Sequence, residues 1–218
     1  ETPTATPLPT RVPSALDALL ALALRATVLP ASFVAIPVVP LPAATLPAPM
    51  GTPFPVVCPN PPAGSFGTIY SGDPALAAQL GCALAGETTL ITAYQPFERG
   101  SMIYLAGQPG TIYVLSSDGR FRRFADTWIE GVDPERGGEA PPPGLIEPIR
   151  GFGKVWRDNA DVRSALGWAA SVEAGNESSL LRFERGQLLF LPQLNQTVAL
   201  VDDPGGATGT WRMFTGGA

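Results

Sequence analysis

The chain has 218 residues, a net charge of −5, a pI near 4.7, a single lysine and no histidine. With no basic run longer than Arg122-Arg123 it is a poor match for nucleic acid or an anionic membrane surface, both of which are bound through clustered Lys and Arg. The lack of histidine removes every Ser-His-Asp or Cys-His machine and the commonest transition-metal ligand, so no enzyme activity, cofactor or metal is expected.

Residues 1–63 read as one segment. Glu1 to Thr10 is a Thr/Pro tract of the kind that forms extended stalks outside cells, and a chain opening on it without an initiator Met reads as the processed form of an exported protein. Ser14 to Arg25 is a short helix candidate, with Ser14 as cap, Asp17 in the first turn and Arg25 in the last. It is too short to span a bilayer. From Ala26 to Gly72 there is no charged side chain, and residues 1–63 hold fifteen of the 25 prolines. Val28, Leu29, Phe33, Val34, Ile36, Val38, Val39 and Leu41 make this stretch too apolar for a disordered linker. Pro30, Pro37 and Pro40 interrupt it too often for a membrane helix. An extended apolar ribbon lying in a groove remains. Burying six or seven such side chains contributes on the order of 10 kcal/mol.

The two cysteines, Cys58 and Cys82, are too few for a thiolate zinc site and are not spaced as a redox pair, so a disulfide is expected, with two buried thiols as the alternative. Closing a loop of that length is worth about 3–4 kcal/mol in the chain-entropy picture.

The rest of the chain is written twice. Ser65-Phe66-Gly67-Thr68-Ile69-Tyr70, Leu80-Gly81, Glu87 and Phe97-Glu98-Arg99-Gly100 recur 86 residues later as Gly151-Phe152-Gly153-Lys154-Val155-Trp156, Leu166-Gly167, Glu173 and Phe183-Glu184-Arg185-Gly186. The register reads without a gap from Phe66/Phe152 to Leu115/Val201, after which a longer turn moves Phe121 and Phe124 onto Trp211 and Phe214 at a spacing of 90. Each copy is expected to begin with a glycine-punctuated strand or turn. In the first copy Asp73-Pro74 then caps a brief helix, Ala75 to Leu80, which Gly81 ends. An antiparallel meander follows: Thr89–Phe97, Ser101–Ala106, Thr111–Ser116 and Arg120–Phe124, answered by Ser179–Glu184, Gln187–Leu191, Thr197–Val201 and Thr210–Phe214. The fold class is therefore α+β and β-rich, with unit 1 at 64–130, a Gly/Pro linker at 131–148 and unit 2 at 149–218.

Glu98-Arg99 and Glu184-Arg185 could anchor a sugar or peptide, or could be turns with surface ion pairs. Asp126, Glu130, Asp133 and Glu135 could supply paired carboxylates, but a flexible linker is a poor mount for hydrolase chemistry. Tyr70, Trp156 and Trp211, with Trp128, are candidate glycan contacts, weighed against a place in the core. Asn176-Glu177-Ser178 and Asn195-Gln196-Thr197 match the glycosylation acceptor pattern.

Leu80-Gly81-Cys82-Ala83, Glu87 and Gln95-Pro96-Phe97-Glu98-Arg99-Gly100-Ser101-Met102-Ile103-Tyr104 resemble the LGFP-type repeat of bacterial envelope proteins, and Leu166-Gly167-Trp168-Ala169 with Glu173 and Phe183-Glu184-Arg185-Gly186 is similar. The family's proline is replaced by Ala83 and Ala169. The resemblance implies an extracellular, wall- or surface-associated role without catalytic residues. The expectation is a structural subunit of a filament, sheath or surface layer, a homo-oligomer or polymer joined by the ribbon through β-strand addition or groove docking. The alternative is a cell-wall or carbohydrate-binding module.

Overall fold

The structure is a computed structural model describing residues 58–216. The Thr/Pro tract, the expected helix Ser14 to Arg25 and the ribbon from Val28 to Leu41 lie outside the described residues.

Phe66, Ile69 and Tyr70 sit at i, i+3 and i+4, a helical spacing. They form helix α1, Gly64–Gly72, where the glycines suggest a strand or turn. The first glycine does serve a turn, at φ +57, but Gly67 serves close approach: a Cβ there would lie 2.6 Å from the Pro62 carbonyl oxygen. Helix α2, Pro74–Leu80, follows with the expected punctuation. Asp73 accepts a hydrogen bond from the Leu76 N–H at 2.9 Å, and Gly81 ends the helix at φ +77. The second copy repeats the pair as α3, Arg150–Asp158, and α4, Ala160–Leu166, without a side-chain cap from Asn159.

The strands are β1 Thr88–Phe97, β2 Gly100–Leu105, β3 Thr111–Ser116 and β4 Arg120–Ala125, then β5 Ala174–Phe183, β6 Gly186–Leu191, β7 Gln196–Asp202 and β8 Thr208–Thr215. All but β5, which starts five residues early, lie within two residues of expectation. Their assembly is different. The two meanders do not form tandem units: they close into one antiparallel barrel in the order β1-β2-β3-β4-β8-β7-β6-β5. The seams are β1 against β5, from Thr88↔Leu180 to Tyr94↔Ala174, and β4 against β8, from Arg120↔Thr210 to Arg122↔Thr208. A four-stranded meander alone leaves two unpaired edges, and joining two removes all of them.

The gapless register also needs correction. Gly100 pairs with Ser116, whereas Gly186 pairs with Val201, so β7 follows β3 at a spacing of 85, not 86. The turn after β6 is one residue shorter than the turn after β2. Because side chains alternate with period two, a one-residue slip exchanges inside for outside. Tyr113 and Leu115 point into the barrel with Val198 and Leu200, while Val114 and Ala199 point out.

Three clusters hold the molecule together. The barrel interior is filled by Ile103, Leu115, Phe121, Leu180, Leu189 and Leu200, among others, as expected for eight strands, whose bore admits side chains and little else. The two outer clusters are exchanged between the copies. Phe66, Leu76 and Leu80 of the first helical pair pack on Leu181, Phe183 and Leu188 of the second meander. Phe152, Trp156 and Leu166 of the second pair pack on Phe97, Met102 and Ile112 of the first. Neither copy buries its own helices on its own sheet.

The Glu-Arg-Gly turns lock this exchange. Arg99 donates to the Ala165 and Ser164 carbonyls at 3.1 and 2.7 Å, and Arg185 donates to the Gln79 and Ala78 carbonyls at 2.8 and 2.7 Å. Each arginine therefore satisfies carbonyls at the C-terminal end of the other copy's second helix, where cations are also favoured by the helix dipole. Glu98 accepts from the Trp168 N–H at 2.8 Å, just past the same helix end. Arg122 and Arg212, at the spacing of 90, make a further matched pair. Each lies over the phenylalanine two residues on, and they reach Asp161 and Asp73 of the opposite copy's helices.

Cys58 and Cys82 are joined, with Cα atoms 5.2 Å apart, fastening the start of the described chain beyond the end of α2. The linker 131–148 is laid onto the second helical pair. Asp133 meets Lys154 at 3.0 Å, Glu139 pairs with Arg163, and the buried Glu147 accepts from the Gly137 and Gly138 N–H groups. No helix among the described residues is long and apolar enough to cross a membrane. Together with the disulfide, this is compatible with a secreted protein.

Candidate functional site

Three of the aromatic residues singled out from the sequence pack against the helices and the barrel. Trp156 is fully buried, and its indole Nε1–H donates to the Gly167 carbonyl at 2.7 Å. Tyr70 occupies the same place in the first copy: its hydroxyl donates to the Gly81 carbonyl at 2.9 Å and its ring stacks on Phe183 at 5.3 Å. Trp211 lines the barrel interior and donates to the Ser116 carbonyl at 2.9 Å. These polar tips terminate helices and strands, and Trp156 offers no free ring face. Trp168, opposite Cys82 in the repeat, packs on Trp156 at 4.9 Å beneath Arg163.

The fourth, Trp128, lines a cavity. Between β1 and the N-terminal end of α3 lies a space of about 260 Å³. Its floor is Ala93, Tyr104, Ile112 and Phe152, its mouth carries Asp126, Arg150 and Glu173, and Trp128 from the stretch after β4 forms a wall. Trp128 is half-buried, but its indole nitrogen is fully buried and has no acceptor. An unmet buried donor costs about 1–3 kcal/mol.

Two of the three charged groups, Arg150 and Glu173, are paired, and Asp126 is held by the backbone. The Asp126 carboxylate rests against Gly151, where a Cβ would lie 2.7 Å from Oδ1, and it accepts the Trp128 N–H at 3.1 Å. Only glycine permits this approach of a carboxylate to the first turn of α3, where the helix dipole favours it. Arg150 reaches Glu173 at 3.3 Å and Glu135 at 3.6 Å. Burial pushes the Glu173 carboxyl above the usual range, the Arg150 guanidinium opposes this, and the Asp126 and Glu135 charges add to the rise.

Arg150 sits at φ +51, a left-handed conformation unfavourable for a residue that carries a Cβ, where the first copy has Gly64 at φ +57. Holding a non-glycine residue there costs of order 1–3 kcal/mol and persists only where its surroundings fix it. The two ion pairs and the bond from the Arg150 N–H to the Glu135 carbonyl, at 3.0 Å, do so.

Of the linker acids considered for hydrolysis, Asp126 alone lines this cavity, joined there by Glu173 from the repeat; Asp133 is occupied by Lys154 and Glu135 by Arg150. Among the described residues no cluster of acidic or cysteine side chains is arranged to hold a metal ion. The cavity is smaller than the roughly 300–1,000 Å³ of sites that enclose a small molecule, which suits one or two side chains of a larger partner.

One exposed apolar side chain belongs to the lining: Ile91, 59% exposed. Ile129 and Val172, also exposed, follow Trp128 and precede Glu173 in the chain. Reading the sequence names Asp126, Trp128 and Glu173 separately but does not bring them together, and it misses Arg150, which stands where the first copy has Gly64. No protein-family model, no curated protein and no solved structure matches this chain.

Proposed function

We propose that this protein is a non-catalytic structural subunit of an extracellular bacterial assembly, a filament, sheath or surface layer, in which the N-terminal ribbon of one copy docks on its neighbour. The observation that carries the proposal is the exposed Ile91 at an open cavity with an apolar lining of Ala93, Tyr104, Ile112 and Phe152, in a chain whose residues 26–57 are uncharged and rich in proline. Exposed apolar patches of this kind mark interaction sites. The disulfide supports an oxidising, exported setting, and the resemblance to LGFP-type repeats supports an envelope location. Closure of the barrel argues against β-strand addition, because the described sheet has no free edge, and favours groove docking.

The test is the mass of the full chain in solution. Light scattering over a hundredfold concentration range should show growth beyond the monomer, and deletion of residues 1–50 should abolish that growth. The truncation keeps every core residue found among the described residues. A full-length chain that stays monomeric throughout sinks the proposal.

A further inference from the structure

We infer that the joint between the two halves of the barrel is a two-fold, dimer-type interface, and that Glu177 and Arg120, which stand on its axis, select its partner. A first half accepts a second half, its own or that of another copy of this chain, and refuses its like. The inference goes beyond the assembly reading above and does not rest on it.

The strand register shows the axis. Along the β1–β5 seam, exchanging each residue for its counterpart 86 positions away turns the pair Thr88↔Leu180 into Ala174↔Tyr94, which is also present. The centre of this exchange is Ile91↔Glu177, where a residue faces its own counterpart. Beside it the buried Thr92 and its counterpart Ser178 bring their hydroxyls to 2.6 Å of each other. The β4–β8 seam obeys the same rule at a spacing of 90. Its central pair is Arg120↔Thr210, and Phe121↔Gly209 is answered by the Trp211 N–H, which donates to the Gly119 carbonyl at 2.9 Å. The helix-end bonds of Arg99 and Arg185 exchange likewise. A surface on which each contact recurs with the partners reversed is isologous, the geometry of a two-fold dimer. The Cys58–Cys82 bridge lies within the first half, so among the described residues only the link 126–149 ties the halves covalently.

An isologous joint by itself would let like halves pair. Thr92 and Ser178 both offer a hydroxyl, and Arg99 and Arg185 are identical, so neither position discriminates. The two axial pairs do. Two second halves would set Glu177 against Glu177, and two first halves would set Arg120 against Arg120. Like charges directly opposite on antiparallel strands are destabilising. The joint as it stands has neither: Ile91 faces Glu177, Arg120 faces Thr210, and Arg120 reaches across the seam to Asp203 at 2.5 Å. Each kind of like pair therefore carries one opposition of charge that the unlike pair avoids.

The test uses the full chain with a protease site inserted between Pro141 and Pro142, both exposed in the link. Cut after folding, the chain should remain one particle of unchanged mass and melt in a single transition. Light and isotopically heavy cut chains, unfolded together and refolded, should give first–second pairs that mix light and heavy halves in statistical proportion, weighed by native mass spectrometry. Where refolding is incomplete, warming the folded cut chains together just below the melt gives the same readout. Second–second pairs should be a small minority, and because the second half carries no ribbon, ribbon docking cannot produce them. Glu177→Gln should raise that minority about two- to fivefold, and Arg120→Gln should raise first–first pairs by a similar factor. Halves that drift apart on cutting, or that each keep a melt of their own, would overturn the joint. Wild-type second–second pairs as frequent as unlike pairs, or a minority unmoved by Glu177→Gln, would overturn the selection. Neither result touches the ribbon reading, which is decided by the mass of the uncut chain.

Discussion

Gly186→Ala tests the exchange of helices between the copies. Gly186 sits at φ +148, and a Cβ there would overlap the Leu200 carbonyl oxygen and lie 2.9 Å from Leu80 Cδ2. Leu80 belongs to α2 of the first copy, so the methyl group strikes the joint between the two halves. Two penalties add. A backbone conformation closed to L-residues costs about 1–2 kcal/mol, and overpacking against a carbonyl that cannot move without breaking the β6–β7 ladder adds about 1–3 kcal/mol. A total of roughly 2–5 kcal/mol lowers the melting temperature by about 5–20 °C in a domain of this size. Gly100→Ala should behave alike, because its Cβ would overlap the Leu115 carbonyl oxygen and approach Leu166 Cδ2 at 2.7 Å. Gly72→Ala, with open space around it at the end of α1, is the control and should melt as the wild type does or slightly higher. Calorimetry checks both the size of the shift and its form. The whole barrel should melt in one transition at the lower temperature. Two transitions, one of them unmoved, would mean that the copies are independent units and that the exchange is not what stabilises them.

Reduction of the Cys58–Cys82 bridge, 24 residues apart, should lower stability by about 3–4 kcal/mol in the chain-entropy picture, seen as an earlier melt in a thiol reductant. An unshifted melt would mean the N-terminal end of α1 is held by packing alone. Glu173 has a carboxyl that burial raises, so the folded state binds its proton more tightly than the unfolded chain does. Its contribution is present below the unfolded value and is lost as pH rises through the folded one, hence the Glu173→Gln chain should lose less stability than the wild type between pH 4 and pH 7. Equal slopes in denaturant titrations at several pH values would rule this out. Arg150→Gly, which restores the residue of the first copy, should relieve about 1 kcal/mol or more of backbone strain while removing exposed ion pairs worth about 0–1 kcal/mol each. Stability should change little, but the Glu173 carboxyl, measured by NMR titration, should rise further. A fall in that value would show that the guanidinium is not its partner.

The sequence made the strands legible because their turns carry strong chemistry: Glu98-Arg99-Gly100 and Ser117-Asp118-Gly119 end strands wherever they occur. It did not disclose the barrel, since a meander with two open edges reads the same whether the edges stay open, pair with each other or pair with a copy. The helices α1 and α3 were obscured by glycines that serve close packing against the Pro62 and Pro148 carbonyls, while Phe152, Val155 and Trp156 carried the helical spacing in plain view. The duplication drew attention to Glu98-Arg99 and Glu184-Arg185 as recognition residues, although a charged pair kept in both copies is also what a reciprocal clamp requires. Nothing local reveals that each arginine caps the other copy's helix, because its partners lie 65 to 107 residues away.

The cavity is found where the symmetry fails. Positions that hold the exchanged helices must be alike in both copies, so they cannot also distinguish one side of the barrel from the other. The distinguishing positions are Ile91, paired directly with Glu177 across the β1–β5 seam, and Arg150 in place of Gly64. To these the stretch after β4 adds Asp126 and Trp128. As direct cross-strand partners, Ile91 and Glu177 project from the same face of the seam, so the two copies meet there in a single apolar–acid pair. The asymmetry between the two helical pairs therefore rests on their entry, where Gly64 needs no support for its left-handed backbone and Arg150 is held by Glu135 and Glu173.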